Sequence, residues 1–254
     1  MPRQLRIEYP GAVYHVLSRG DHQEAIYRDD QDRQSFVSCL EEGCAKTGWQ
    51  VHAYVLMGNH YHLLIETPGG HLIAGMKWLQ GTYTQRFNSR HKVYGHLFQG
   101  RYKALNVDEG QAGYFQIVST YIHLNPVRAG LVRAGEQPLK SYRWSSYRWY
   151  VGAPGQRPGW LRVGRLLGEM GIPKDSVAGR QEFARRMEEH RRQEEAVDYR
   201  AVRRGWCLGD EAFRKELLAQ MGERVGESHY GSERQESGEE KAERIVEEEL
   251  RRCH

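Results

Sequence analysis

His60 and His62 stand two positions apart in the stretch Asn59-His-Tyr-His-Leu-Leu-Ile65. Alternate side chains of a strand share a face, so both imidazoles project from one side and Tyr61, Leu63 and Ile65 from the other. Two neutral imidazoles held side by side can grip one divalent cation, while the opposite face is apolar enough to pack under helices. Taken alone, the pair is a weak signal and suits a buried polar network better than a metal site. Farther along, Tyr121-Ile-His-Leu-Asn-Pro126 follows apolar residues at helical spacing (Phe115, Val118, Ile122). The spacing predicts a helix over 111–125, with Asp108 or Glu109 suiting its start and Pro126 ending it at Asn125. Tyr121 and Asn125 then lie one turn apart on one face. A phenol whose ordinary pKa is about 10 can act as a nucleophile if the site helps remove its proton, and a carboxamide oxygen can ligate a hard cation. For this helix by itself, a core tyrosine and a C-terminal cap explain the pair better. Tyr114, two turns earlier, is the rival nucleophile. Tyr121 is preferred because it alone has Asn125 one turn on. His15 reads as a strand residue near the site, and His123, two positions from Tyr121, should face elsewhere.

These residues need a scaffold. Segment 12–18 reads as a strand and 31–47 as a helix with Phe36, Val37, Leu40 and Cys44 on one side. Segments 50–57 and 60–66 flank the turn signal Gly58-Asn59 and read as a hairpin. A helix over 72–88, a short strand over 103–107 and the tyrosine helix complete the order β-α-β-β-α-β-α. That order predicts an α+β fold, a ferredoxin-like sandwich with an antiparallel sheet and one added catalytic helix.

Several ordered stretches carry a resemblance. They are Tyr9-Pro-Gly-Ala-Val-Tyr-His-Val-Leu-Ser-Arg19, Ala53-Tyr-Val-Leu-Met-Gly-Asn-His-Tyr-His-Leu-Leu-Ile65 and Tyr83-Thr-Gln-Arg-Phe-Asn88. Phe98-Gln-Gly-Arg-Tyr-Lys103, Tyr121-Ile-His-Leu-Asn-Pro-Val-Arg-Ala-Gly-Leu-Val132 and Trp144-Ser-Ser-Tyr147 continue the series. Over residues 1–150 the chain resembles HUH-type single-tyrosine transposases, in the branch called REP-associated tyrosine transposases. The resemblance implies the same sandwich, with the extra helix covering the histidine-bearing face. It implies Tyr121 as the nucleophile, a 5′-phosphotyrosine intermediate and a free 3′-hydroxyl. The substrate it implies is single-stranded DNA bearing a REP-type hairpin. His60, His62 and Asn125 would hold the metal. That nitrogen and oxygen set suits Mn²⁺ well, Mg²⁺ adequately and zinc less. No Gly-rich phosphate loop of the form G-x-x-x-x-G-K-[ST] occurs, so no nucleotide cofactor is expected. By the same resemblance a monomer is expected, with a dimer as the alternative.

Charge distribution supports a nucleic-acid partner. The net charge is only +4, but residues 77–148 hold eleven Lys/Arg against Asp108, Glu109 and Glu136, a local +8. Trp78, Tyr83, Phe87, Tyr94, Phe98 and Tyr102 are interleaved there, suiting phosphates and stacked bases of a single strand. Arg101, Lys103 and Arg128 flank the site in sequence and, with Arg19, are the candidate DNA-binding residues. Two other readings remain at this point. One is a catalytically silent single-stranded nucleic-acid-binding protein, a domesticated transposase. The other is a metal-dependent phosphodiesterase that uses water and needs the histidines but not Tyr121.

The Gly/Pro-rich stretch 151–159 reads as a linker. Beyond it, 160–225 reads as a helical region, with helices expected over 160–171, 182–190 and 210–221. Residues 226–239 read as a flexible linker and 240–254 as a terminal charged helix. The chain after residue 151 carries 20 basic and 21 acidic residues and so has no net charge to grip DNA. Cys39, Cys44, Cys207 and Cys253 form no C-x-x-C pair and read as reduced thiols. No stretch approaches a membrane span or a leader, so a cytoplasmic protein is expected.

Overall fold

The structure is a computed structural model that describes residues 7–110, 113–133, 135–194 and 199–228, with side chains described as far as residue 220 except Arg204. The terminal helix expected over 240–254 and most of the linker expected over 226–239 lie outside the described residues.

Strand β1 (Ala12–Arg19), helix α1 (Asp30–Thr47), the hairpin β2 (Gln50–Leu56) and β3 (His60–Thr67), helix α2 (Leu72–His91), strand β4 (Lys103–Val107) and helix α3 (Tyr114–Arg128) follow in order. The sheet order is β2-β3-β1-β4, with a short β5 (Cys207–Leu208) outside β4. All pairings are antiparallel except β4 with β5. The fold is therefore α+β, a sandwich with a five-stranded, mostly antiparallel sheet and a helical C-terminal region. The added strand β5 had no sequence signal, because two residues carry no alternation to read.

Alternation along β1 and β3 sorts the two faces. Tyr61 packs on Phe36 of α1 at 4.8 Å between ring centroids, and Phe36 packs on Tyr83 of α2 at 5.1 Å. Gln80 of α2 donates to Ser18 Oγ (2.9 Å) and Tyr61 Oη (3.1 Å), cross-strand partners on that same face. The other face carries His15, Leu17, His62 and Leu64, and α3 lies across it against β2 and β3. Asp29 caps α1 by accepting from the Asp32 amide (3.0 Å), and Gly48 closes it at φ 72°.

Two details of α3 differ from the sequence reading. The helix starts after Gly113, and Asp108 instead accepts from the Gly110 amide at 2.8 Å, making a turn rather than a cap. The helix also runs past Asn125 to Arg128. Pro126 cannot donate to the Ile122 carbonyl, but it falls in the last turn, where few helical bonds remain to lose. Its own carbonyl takes the amides of Leu131 (2.8 Å) and Val132 (3.2 Å).

The chain beyond residue 159 does not stand apart from this core. The segment expected as a helix over 160–171 is helical only over Gly164–Glu169 (α5), because the Trp160 carbonyl and the Arg162 amide bond to Val51 along the outer edge of β2. Short α4 (Tyr147–Val151) and long α6 (Val177–Arg192) pack together, α5 and α6 pack on α3, and short α7 (Arg200–Arg204) leads into β5. Trp160, Leu166, Phe183, Met187, Tyr199 and Leu208 belong to one buried cluster with the sheet and α3. Helix α8 (Glu211–Ser228) brings Leu217 against Ile7 in a second, small cluster.

Candidate active site

β-Sheet pairing puts His62 opposite Leu17, so His15 lies diagonally across β1 from His62 on the same face. Their rings stack at 5.1 Å and 19°, and His15 Nε2 is hydrogen-bonded to His62 Nδ1 at 2.8 Å. His60, at the start of β3 opposite Arg19, stands edge-on to His62 at 5.2 Å. Its Nδ1 pairs with the side-chain oxygen of Asn59 in the hairpin turn at 2.8 Å. Asn59 is itself tied down, donating through Nδ2 to the Gln23 carbonyl at 2.9 Å. The two site histidines thus spend their Nδ1 atoms on protein partners. Nε2 of each makes no hydrogen bond to a described residue.

Helix α3 lowers Tyr121 onto His62 and His15. Its ring lies 5.6 Å from His62 and 5.7 Å from His15, edge-on to both. Asn125 follows one turn later and is buried, as Tyr121 and His62 are. No hydrogen bond or ring contact ties Asn125 to either histidine among the described residues. Tyr114 begins α3 two turns away and shares no ring contact with the site histidines.

Burial sets the protonation of the histidines. His15 is held down to about 3 and His60 to about 4, first by desolvation and then by Arg128 and Arg19 respectively. His62 is pushed well below the usual imidazole range by burial, by the neighbouring His15 and His60, and by Arg128 and Arg19. All three are therefore neutral at pH 7, the form that can ligate a metal. The donor set fits a divalent cation: two neutral imidazole nitrogens unclaimed by described residues, and one carboxamide. Among the described residues no three of His, Cys, Asp or Glu converge on such a site, so the third donor has to come from outside those types.

The candidate DNA-binding residues divide. Arg19, Arg101 and Lys103 are exposed. Arg128 is not free in the same way. Its guanidinium lies 4.0 Å from the Tyr121 ring and 5.1 Å from the Tyr199 ring, donates to the Tyr121 carbonyl and pairs with Glu194. Tyr199 completes this cover, 5.1 Å from Tyr121 and donating to Glu194 at 3.2 Å. Sequence reasoning missed Glu194 and Tyr199, since nothing in a charge-balanced helical segment marks them for a distant tyrosine. Of the interleaved rings, Tyr83, Phe87, Phe98 and Tyr102 are core, while Tyr94 is 98% exposed. Arg86, Arg90 and Arg143 of the basic segment are paired with Glu42, Asp29 with Asp32, and Asp30. His123 faces away from the site, bonded to Ser146 Oγ at 2.8 Å and packed on Tyr150 and Phe183.

With this geometry in hand, comparisons with known proteins point one way. Residues 9–125 match the family described as "Transposase IS200 like". A solved REP-associated tyrosine transposase bound to a REP hairpin is similar at TM-score 0.50 and 14% identity, over 64% of this chain and 92% of that one. A putative transposase from Deinococcus radiodurans R1 is similar at TM-score 0.34 and 19% identity, over 51% and 92%. The first supports the fold; the second is too distant to bear on it. No curated protein matches the sequence.

Proposed function

From the match of residues 9–125 to the IS200-like transposase family, we propose that this chain cuts and rejoins single-stranded DNA at hairpin sites through Tyr121. The observation that carries the reading is the packing of the Tyr121 ring on His62, which His60 also meets edge-on. The Tyr121 hydroxyl attacks the scissile phosphorus, the bond from phosphorus to the 3′-oxygen breaks, and the phenolic proton leaves to solvent or to the departing oxygen. The products are a 5′-phosphotyrosine and a free 3′-hydroxyl. The ester keeps the bond energy, so religation needs no nucleotide.

His60, His62 and Asn125 would hold Mn²⁺ or Mg²⁺. When bound, such a cation polarises the phosphate and favours in-line attack. The protein's own part is positional. Strand β3 fixes both imidazoles, burial keeps them neutral, and α3 holds the phenol against His62. Arg19, Arg101 and Lys103 offer phosphate contacts around the site, with Arg128 added where the cover opens. A hairpin substrate accords with what the solved relative is bound to.

The cover of Tyr199 and Arg128, which leaves Tyr121 only 7% exposed, favours a second reading: a protein that binds single strands without cutting them. End-labelled hairpin DNA separates the two. Incubated with the full chain and Mn²⁺, a 3′-end label should travel with the protein on a denaturing gel and a 5′-end label should be released. Tight binding with neither outcome supports the silent reading.

A further inference from the structure

Of the six rings interleaved in the basic segment, Tyr83, Phe87, Phe98 and Tyr102 are core, and Trp78 is half-buried with the Lys46 ammonium 5.3 Å from its ring. Tyr94 is 98% exposed. We propose that Tyr94 is a stacking platform for one unpaired base of single-stranded DNA, at the His60 end of the sheet. The proposal deepens the function proposed above and rests on its substrate, a single strand, though not on cleavage.

The ring is not in water because its loop is slack. Residues 92–99 join α2 to β4 and are pinned on both sides of Tyr94. On one side, the Val93 amide donates to the Asn88 carbonyl (3.1 Å), and Asn88 Nδ2 donates to the Gly95 carbonyl (3.0 Å). Lys92 (φ 53°) and Gly95 (φ 99°) turn the backbone around the tyrosine. On the other side, Phe98 is buried, with Tyr61 and Tyr83 at 5.9 and 6.2 Å. The Asp21 amide donates to the Leu97 carbonyl (3.0 Å), and the Gln99 amide to the Arg19 carbonyl (2.9 Å). A ring carried on a fixed loop has little backbone freedom left to lose when it meets a ligand.

Those last two bonds also fix where the loop sits. Arg19 pairs with His60, and Leu17 with Lys103. The loop is therefore stitched to the end of the sheet where β1 stops and β3 and β4 begin. Three residues separate Tyr94 from Leu97, a reach of at most about 11 Å. Arg19, Lys92, Arg101 and Lys103 are exposed on this part of the chain and form no salt bridge among the described residues. Arg86, Arg90 and Arg143 of the same basic segment are all paired. Asp21 and Glu24 are the acids that follow β1 here. The surroundings do not suit a protein partner. The other large exposed apolar side chains, Ile73, Ile117, Leu131 and Val177, lie outside the loop, so no contiguous apolar patch surrounds Tyr94. A lone ring among unpaired cations suits a nucleotide, with the base face on the phenol and the phosphates on Lys and Arg. A matched duplex keeps its base faces inside its own stack, so the ring favours unpaired bases.

The test measures binding of the full chain, without added metal, to a fluorescein-labelled mixed-sequence single strand of about 20 nucleotides and to the matched blunt duplex. Each is titrated at several salt concentrations. Tyr94→Ala should bind the single strand about 5- to 100-fold more weakly, the range expected for one stacked base. It should bind the duplex within about two-fold of wild type. Its slope of log affinity against log salt should equal that of wild type, because no cation is lost. Tyr94→Phe and Tyr94→Trp should stay within a few-fold of wild type. All three variants should melt as wild type does, since the ring packs on nothing that the fold needs. A second readout needs no variant: 5-iododeoxyuridine placed along the single strand and irradiated should crosslink to Tyr94, as located by sequencing the labelled peptide. Wild-type affinity in Tyr94→Ala, equal losses on single strand and duplex, a Tyr94→Phe as weak as Tyr94→Ala, or crosslinks only elsewhere would each overturn the proposal. Hairpin adduct formation by wild type separates it from the reading it rests on. Binding that depends on Tyr94 with no adduct sinks the cleavage reading and leaves this site standing. Adduct from wild type, with Tyr94→Ala binding as tightly, sinks this site alone.

Discussion

At the N-terminal end of α3, Phe115 packs on His52 at 4.9 Å and Arg165 stacks on Phe115 at 4.5 Å. His52 bonds through Nδ1 to the Arg162 carbonyl (3.2 Å) and through Nε2 to Glu66 (3.0 Å), which Arg165 also pairs. At the C-terminal end, Tyr121 packs on His62 and His15, and Arg128, Glu194 and Tyr199 cover it. Both ends lie over the same sheet face, and both are closed by chain from beyond residue 159. They differ in how completely the imidazoles are used. His52 has both nitrogens engaged, so it serves the fold. His60 and His62 each keep one nitrogen that no described residue claims, beside a phenol. A ring nitrogen that no neighbouring residue claims is open to a ligand.

The largest disturbance to this comparison is to remove the closing chain altogether. The linker expected over 151–159 would let a protein ending near Gly152 fold and still form its adduct. The packing gives a different expectation. Such a truncation strips β5 from β4, Leu161 from the edge of β2, and Phe183, Leu166 and Tyr199 from the common core. It should be insoluble or should unfold without a cooperative transition by circular dichroism. A cooperative, soluble fragment would mean that neither end of α3 depends on its cover.

Single substitutions sharpen the contrast. His60→Ala should lower metal-dependent cleavage by about two orders of magnitude or more, since it removes a proposed ligand outright, with little loss of melting temperature, because His60 is only half-buried and its partner is Asn59 of the hairpin turn. His52→Ala should do the reverse. Leaving the Arg162 carbonyl unpaired and Glu66 with Arg165 alone should cost about 1–3 kcal/mol in denaturant unfolding, with cleavage by the folded protein nearly unchanged. If both variants lose activity without losing stability, the division between a structural and a functional end is wrong.

Acid should loosen the two ends in sequence, a smaller effect. His15 and His60 are held at about 3 and about 4, below the 6.5 of an unfolded chain, so below pH 6.5 the unfolded state takes up protons that the folded state refuses. Their contribution is complete above pH 6.5 and is lost as pH falls toward those values, with buried His15 costing about 2 kcal/mol by pH 5. Glu66 is lowered from 4.5, mainly by its bond to His52, so the stability it lends is present above pH 4.5 and lost only below it. Melting temperature of the metal-free protein should therefore fall between pH 6.5 and 5, and His15→Gln should flatten that limb. A flat profile there would contradict the buried, neutral state of the site.

How far the sequence reached follows from what kind of signal each feature carries. The strands and long helices were legible because alternation and helical spacing are local, as in 60–66 and 72–88. His60, His62 and Tyr121 stood out because two short motifs hold them. His15 was visible as a strand histidine, but its bond to His62 depends on the register of β1 against β3, which no local pattern gives. Tyr199, Glu194 and Arg165 come from segments whose charges balance, and only packing brings them to α3. The basic segment misled in part, because Glu42, Asp29, Asp30 and Asp32 of α1 lie against several of its arginines. A charge sum along the chain counts neighbours in sequence, whereas DNA meets neighbours in space.

The identity of the nucleophile is the central claim, and Tyr114 is its natural competitor on the same helix. Full-length wild type, Tyr121→Phe and Tyr114→Phe should each be incubated with hairpin single-stranded DNA and Mn²⁺, denatured, and scored for covalent protein–DNA complex. Tyr121→Phe should form none while still binding the hairpin with near wild-type affinity, since only one hydroxyl is lost, and Tyr114→Phe should form it as wild type does. Adduct that persists in Tyr121→Phe and vanishes in Tyr114→Phe would place the chemistry two turns away from the histidines and contradict the account.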